Sequence, residues 1–299
     1  MDDYLWNNRV EYLTRSRKAL WNNDYVQFLI EKIWNISEPV NIVDFGCGMG
    51  FIGAMLMPLL PKGSTYTGID KGKTLIENAI EFFADSPYDA SFIEADLLFY
   101  QPEKKYDIAI CHAVLQHIPN SIKVMEKMRD SVRNGGKVIC IEADRNIANA
   151  CLYFYRLDYS QLINLGILQK LWLNDKEKEG SDQNSGVKVP AYMQEIGLTD
   201  IGVRLNDCVN FINAKGDKEK YSVEFDSFIS GGWGDFNNNK DEVVASLMKR
   251  GLTVEEAEYQ FSCDMIYNKY VNEHMDSACI LSALCQIISF GTVSQSPHL

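Results

Sequence analysis

Two acids and a run of glycines carry the chemistry most readily read from this chain. In V-D-F-G-C-G-M-G-F-I-G, residues 43–53, Asp44 ends an apolar stretch, Gly46, Gly48 and Gly50 follow at alternate positions, and Gly53 closes the run. A strand that passes through glycines into a helix lets backbone approach a ligand closely and offers unpaired N–H groups at the helix start. Gly48, Gly50 and Gly53 satisfy G-x-G-x-x-G, and Asp70 lies 20 residues past Gly50, where dinucleotide-binding proteins keep a ribose-binding acid. An NAD-dependent oxidoreductase is therefore one reading. Three features favour another ligand. Asp44 puts a carboxylate at the strand end, which suits a cation better than a pyrophosphate. The glycines begin at Gly46, earlier than the dinucleotide pattern needs. Asp96, in E-A-D-L, ends a third apolar segment and supplies a further acid for an adenine edge.

For these residues to meet, the segments that end in them must lie side by side. V-N-I-V-D-F, S-T-Y-T-G-I-D, A-S-F-I-E-A-D, Y-D-I-A-I-C-H-A and K-V-I-C-I-E-A each read as a strand, and M-G-F-I-G-A-M-L-M-P-L-L, K-T-L-I-E-N-A-I-E-F-F-A and S-I-K-V-M-E-K-M-R-D-S-V read as helices between them. Asn134-Gly135-Gly136 reads as the stop of the last of these helices. Such alternation implies a parallel sheet covered on both faces. Apolar residues at helical spacing predict helix over 2–36, and 147–177 reads as helical and aromatic-rich. V-P-A-Y-M-Q-E-I-G-L-T-D-I-G-V-R-L resumes as helix then strand. Thr253 and Glu256 form a capping box opening a helix to about His274. The most apolar stretch, 278–293, is interrupted by Ser282, Gln286 and Ser289 and is short for a membrane span. It reads as a buried strand preceded by a helix end.

Bulk properties narrow the class. With 299 residues, one or two domains are expected, and 46% hydrophobic content permits a large core. The net charge of −12, from 41 acidic and 29 basic side chains, argues against general affinity for nucleic acid or anionic membrane. Eight scattered cysteines without C-x-x-C spacing and only four histidines predict no metal site. They read as free thiols of a cytoplasmic protein, consistent with a start, M-D-D-Y-L-W-N-N-R-V-E-Y, that has no signal-peptide pattern.

In order and spacing, V-D-F-G-C-G-M-G, G-I-D, E-A-D-L, Y-D-I-A-I-C-H-A-V-L-Q-H-I-P-N and V-R-N-G-G-K-V-I-C-I-E-A resemble the class I S-adenosylmethionine-dependent methyltransferases, nearest to the small-molecule branch with a methyltransferase-11 or -25 type domain. The resemblance is strong over residues 38–143 and extends to 186–206. It implies a Rossmann-like α/β fold: a seven-stranded, mainly parallel sheet with helices on both faces, the strands around D-I-G-V-R-L-N-D and C-Q-I-I-S-F-G-T-V forming a closing antiparallel pair, and a helical cap formed by insertions. The implied division is an N-terminal helical segment (1–37), a core (38–144, 186–212 and 276–295) and a cap (145–185 and 213–275). The implied cofactor is S-adenosyl-L-methionine. Gly46, Cys47, Gly48 and Gly50 would pass under its methionine part, with Asp44 orienting the amino end. Asp70 would take both ribose hydroxyls with Lys71 beside it, Asp96 the adenine amino group, and Leu97 a backbone contact. His112 and Ala113 would end the fourth strand near the sulfonium; the family often has Asn or Ser where this chain has His112.

The resemblance implies transfer of a methyl group to a small organic acceptor by in-line displacement, which asks the protein mainly for positioning. A base is needed only for a weakly acidic hydroxyl or a protonated amine, and His112 and His117 are the weak candidates. The position where nucleobase amino-methylating relatives place N/D-P-P-Y/F reads C-H-A-V-L-Q-H-I-P-N, against a nucleic-acid substrate. Tyr153, Tyr155, Tyr159, Trp172, Trp233 and Phe236 are candidates to wall an acceptor pocket over the sheet, Tyr153, Tyr155 and Trp233 foremost. The Gly231–Gly234 loop is a candidate lid, and Tyr12, Arg15 and Arg17 are candidates to meet the methionine carboxylate. A protein that binds cofactor without turnover and acts through its cap is the alternative. Acceptor atom and oligomeric state stay open.

Overall fold

The computed structural model describes residue 13 and residues 20–158, 163–230 and 236–294. Alternating strands and helices build the first half: β1 (Asn41–Phe45), α2 (Phe51–Leu56), β2 (Thr65–Asp70), α3 (Lys73–Phe83), β3 (Asp89–Glu94), β4 (Tyr106–His112), α4 (Ser121–Ser131) and β5 (Val132–Glu142), preceded by α1 (Asn23–Phe28), which continues as a π turn over Leu29–Ile33. β1 and β4 are buried along nearly their whole length, as continuous apolar runs require when helices cover both faces of a sheet. Among the described residues, no helix is long and apolar enough to cross a membrane.

The main sheet has seven strands in the order β3-β2-β1-β4-β5-β10-β7, with β7 at Thr199–Leu205 and β10 at Ile287–Thr292. β3, β2, β1, β4 and β5 pair in parallel, and β10 runs antiparallel to both β5 and β7. The expected closing antiparallel pair is thus present, with residues 287–292 as its inner member. The order reverses between β1 and β4, so their carboxyl ends, with those of β2 and β5, open a crevice where ligands of open α/β sheets bind. Two cores flank the sheet. One packs Met125, Met128, Val189 and Met193 from α4 and α7 (Val189–Glu195) under β4 and β5. The other packs Leu29, Ile30, Trp34, Ile52 and Leu56 against β1, β2 and β4. Burying each such side chain contributes roughly 1.5–3 kcal/mol, which fixes the strand ends.

Several details depart from expectation. Asn134-Gly135-Gly136 does not stop a helix: α4 ends at Ser131, and the pairing of β4 with β5 jumps from Tyr106↔Val132 to Ile108↔Lys137, so these residues bulge out within β5. Residues 278–293 are neither one strand nor a strand after a helix end. They form β9 (Cys279–Ala283) and β10, joined by a bend in which Cys285 takes a positive φ of 47°. β9 belongs to a second sheet, order β6-β9-β8, with β6 at Leu152–Phe154 and β8 at Val209–Asn213. β8 and β9 come almost wholly from segments assigned above to the core, whereas the additions over the core, expected as helical, contribute β6 to this sheet. Their helices are α5 (Arg145–Ala150), α6 (Leu165–Glu179), α8 (Lys218–Ser230), α9 (Lys240–Lys249) and α10 (Val254–Glu273). The Thr253–Glu256 capping box opens α10 as expected. Leu152, Phe154, Ile212, Phe225 and Phe228 form the cap's apolar centre with Tyr267 and Tyr270.

Candidate functional site

The carboxyl ends of β1, β2 and β4 surround a cavity of about 600 Å³, within the range of small-molecule sites. Asp44, Gly46, Cys47, Gly48, Asp70, Lys71, Asp96, Leu97, His112, Ala113 and His117 all line it. The sequence-predicted binding residues are therefore brought together, with one exception: Gly50 caps α2 and shapes the loop from behind.

Local geometry explains the glycines. Gly46 has φ +81°, and a Cβ there would lie 2.5 Å from Val114 Cγ2, so neither conformation nor space admits a side chain. The N–H groups of Gly46 and Cys47 both donate to the Ile69 carbonyl (2.8 and 2.9 Å), tying the loop across the end of β2. Gly53 is required for packing rather than for a phosphate: a Cβ would meet the Tyr66 ring at 2.8 Å. That ring lies beneath α2 and its hydroxyl donates to Asp44 Oδ2 at 2.6 Å.

The floor is acidic. Asp44 is buried, its Oδ1 has no hydrogen-bond partner among the described residues, and burial pushes its carboxyl up to about 7 against the opposing Tyr66 hydrogen bond. Asp70 accepts from Gly48 N–H (3.0 Å) and Gly72 N–H (2.8 Å), joining the glycine loop to the start of α3. Burial also raises Asp70, and these two N–H groups hold it down in part. Asp96 Oδ1 accepts from Leu98 N–H (2.9 Å), so this acid both closes a turn and lines the cavity. Cys47 is a buried packing residue whose thiol burial raises well above its ordinary value, which leaves it a poor nucleophile.

The roof near β4 depends on residues that sequence reasoning missed. Glu142, at the end of β5, is fully buried and its Oε1 accepts from the N–H groups of Val114 and Leu115 (2.9 Å each). This clamp holds the turn that begins at Ala113, which has a positive φ of 56°, and carries His117 in a 3₁₀ turn. Burial pushes Glu142 up to about 7. His112 stacks on Phe51 (centroids 5.8 Å apart) and pairs through Nε2 with Gln286 Oε1 at 3.1 Å. Gln286 comes from the bend between β9 and β10, so its only sequence signal was a polar residue breaking an apolar run.

Other expectations are not met. Tyr153 and Tyr155 do not line this cavity: in β6 burial alternates, Leu152 and Phe154 pointing into the cap and Tyr153 outward. Trp172 and Phe236 line a second cavity inside the cap. Tyr12, Arg15, Arg17, Tyr159, Trp233 and the Gly231–Gly234 loop lie outside the described residues.

This sheet order, the loop and its acids define an α/β methyltransferase architecture, and comparison with known proteins agrees. Residues 36–181, a little under half of the chain, match a family described as a methyltransferase domain. It is similar to a ubiquinone biosynthesis O-methyltransferase of Rickettsia prowazekii, 27% identical over 47% of this chain and 54% of that protein. It is also similar to malonyl-[acyl-carrier protein] O-methyltransferase 1 of Ilyobacter polytropus, 32% identical over 33% of this chain and 36% of that protein. The chain spans about half the length, or less, of these curated relatives. Among solved structures, a methyltransferase in complex with the Haloferax volcanii Trm112 activator aligns over 99% of this chain and 97% of its own, with a TM-score of 0.52 at 12% identity. That likeness shows the fold.

Proposed function

We propose that the protein is an S-adenosyl-L-methionine-dependent methyltransferase acting on a small organic acceptor. One observation carries this reading: the glycine-loop cavity is walled by two buried carboxylates, Asp44 and Asp70, and Asp44 has an oxygen without a partner among the described residues. Such a wall favours a cation and opposes the pyrophosphate of a dinucleotide, because a buried acid facing a diphosphate adds repulsion to desolvation. The residues fit the cofactor. A Cβ at Gly48 would meet nothing within 4 Å, so this side-chain-free position on the cavity wall leaves room for the cofactor's amino-acid part. Asp70 offers a charged acceptor to ribose hydroxyls, and Asp96 and Leu97 lie where an adenine edge would be read.

When bound, the cofactor supplies a methyl group made electrophilic by its sulfonium. The chain's own work is orientation and exclusion of water, which can lower the barrier by several kcal/mol. The Glu142 clamp fixes the Ala113–His117 turn over the reacting end. His112 and His117 line the same cavity, where a proton must leave a hydroxyl acceptor. Oxygen acceptors come first because both curated relatives above are O-methyltransferases by name. Cytoplasmic placement is supported by all eight cysteines being free thiols.

The test is formation of S-adenosylhomocysteine across a panel of small hydroxyl, carboxyl, amine and thiol acceptors. Acceptor-dependent product supports the reading. Saturable cofactor binding with no turnover on any acceptor would favour a protein that binds without catalysing.

A further inference from the structure

The cap contains a cavity that the methyl-transfer reading does not use. It has a volume of about 410 Å³ and lies between α5, α6 and α10, sharing no lining residue with the glycine-loop cavity. The segment 181–183 adjoins both: Ser181 and Gln183 line the cap cavity, while Asp182 N–H donates to the Gln116 carbonyl (2.9 Å), next to His117 of the first cavity.

Its wall asks for a ligand with two kinds of charge. Gln260 is 7% exposed and its Nε2 donates to Asp264 Oδ1 at 2.9 Å, yet its Oε1 has no partner among the described residues. Leaving a buried acceptor unpaired costs about 1–3 kcal/mol, so a donor brought against this lining side chain would relieve that cost. Asp264, one helical turn on, faces the same space without a cationic partner among the described residues, and burial pushes its carboxyl up to about 6. Trp172, Phe236 and Tyr267 add aromatic surface, which favours a cation over carbonyl-like neighbours. Arg145, from the first turn of α5, also lines the cavity and makes no ion pair among the described residues. The other arginine, Arg250, is already neutralised: its Nε and Nη2 engage both oxygens of Asp175 at 3.1 and 2.6 Å.

We propose that this cap cavity binds a small zwitterion, its ammonium group on Gln260 Oε1 and Asp264 and its acidic group on Arg145. The site stands apart from the cofactor cavity, so it can be tested without assuming methyl transfer. The ligand is one that binds unchanged, because a cavity sharing no lining residue with the cofactor's cannot bring an acceptor atom onto the transferred methyl group.

The probes are linear ω-amino acids from glycine to 6-aminohexanoate, titrated into the whole protein by calorimetry and by Trp172 fluorescence. Alkylamines and alkyl carboxylates of matching length are the controls. At least one amino acid should saturate the protein and exceed its single-charge controls at least tenfold in affinity. Asp264→Asn and Arg145→Gln should each weaken it at least tenfold while leaving the thermal transition within a few degrees of the parent. With S-adenosylmethionine added, mass spectrometry should find the probe unchanged; a methylated probe would place it in the cofactor cavity and count against the cap site. The proposal is overturned if no probe saturates up to 50-fold the millimolar range in which the weakest control is silent, or if binding survives both substitutions.

Discussion

The cavity at the strand ends and the cavity in the cap are built in opposite ways. Around Asp44 and Asp70 the shape comes from backbone: glycines that leave no side chain, N–H groups aimed at carboxylates, and an acid clamp on the turn after β4. In the cap, side chains on three helices make the wall, and an Arg250–Asp175 pair braces it from one side. A backbone-built site is preorganised and intolerant, because any added atom moves the chain itself. A side-chain-built site can change its ligand while its helices stand. One molecule thus carries a fixed cavity beside an adaptable one.

The contrast breaks most sharply at Gly46. Gly46→Ala would force a side chain into left-handed backbone, roughly 1–2 kcal/mol, and into Val114, roughly a further 1–3 kcal/mol. Cofactor affinity should fall about 100-fold and the melting temperature by several degrees. Calorimetry and thermal scanning check both; near-parent affinity would mean that the loop yields and the site is not backbone-built. Asp70→Ala comes next. It removes the acceptor offered to ribose and orphans the N–H groups of Gly48 and Gly72, so affinity should fall about 10-fold or more.

Much of the first region was legible and little of the second. Asp44, Gly46, Asp70, Asp96 and His112 each end a short continuous segment, and a parallel sheet brings such ends together whatever covers it. Gly53 was legible only as a motif letter; its actual partner, the Tyr66 ring, sits in the next strand, and no local pattern names it. Glu142 and Gln286 were missed because their bonds to Val114, Leu115 and His112 span 28, 27 and 174 residues. The bend at Cys285 that divides one apolar run between two sheets leaves no mark in hydropathy, since both halves are buried strands. The cap's aromatics likewise gave no direction: only β6 pairing decides that Phe154 points in and Tyr153 out.

Smaller effects sharpen the comparison. Asp44 and Glu142 are both pushed up to about 7 by burial, above the carboxylate range near 4 that they have when unfolded. The folded state therefore holds more protons between those pH values, and stability falls as pH rises from about 4 to about 7, then levels. The ligand-free protein should melt a few degrees higher at pH 5 than at pH 7.5, and Glu142→Gln, which keeps an acceptor for Val114 and Leu115 N–H, should flatten part of that slope. A slope of opposite sign would mean that these acids stay charged when buried. The least change is expected from Asp264→Asn in the cap, which should alter cofactor affinity less than twofold; a larger loss would show that the two cavities are coupled through 181–183.

Titration of the whole protein with S-adenosylmethionine and, separately, with NADH tests the central claim most directly. If the acidic, backbone-built cavity is a place for a sulfonium nucleoside, S-adenosylmethionine should bind at one site per chain, and binding near pH 6 should release protons as Asp44 charges beside the cation, visible as a dependence of the heat on the buffer's ionisation enthalpy. Saturable NADH binding, with no heat from S-adenosylmethionine, would contradict it.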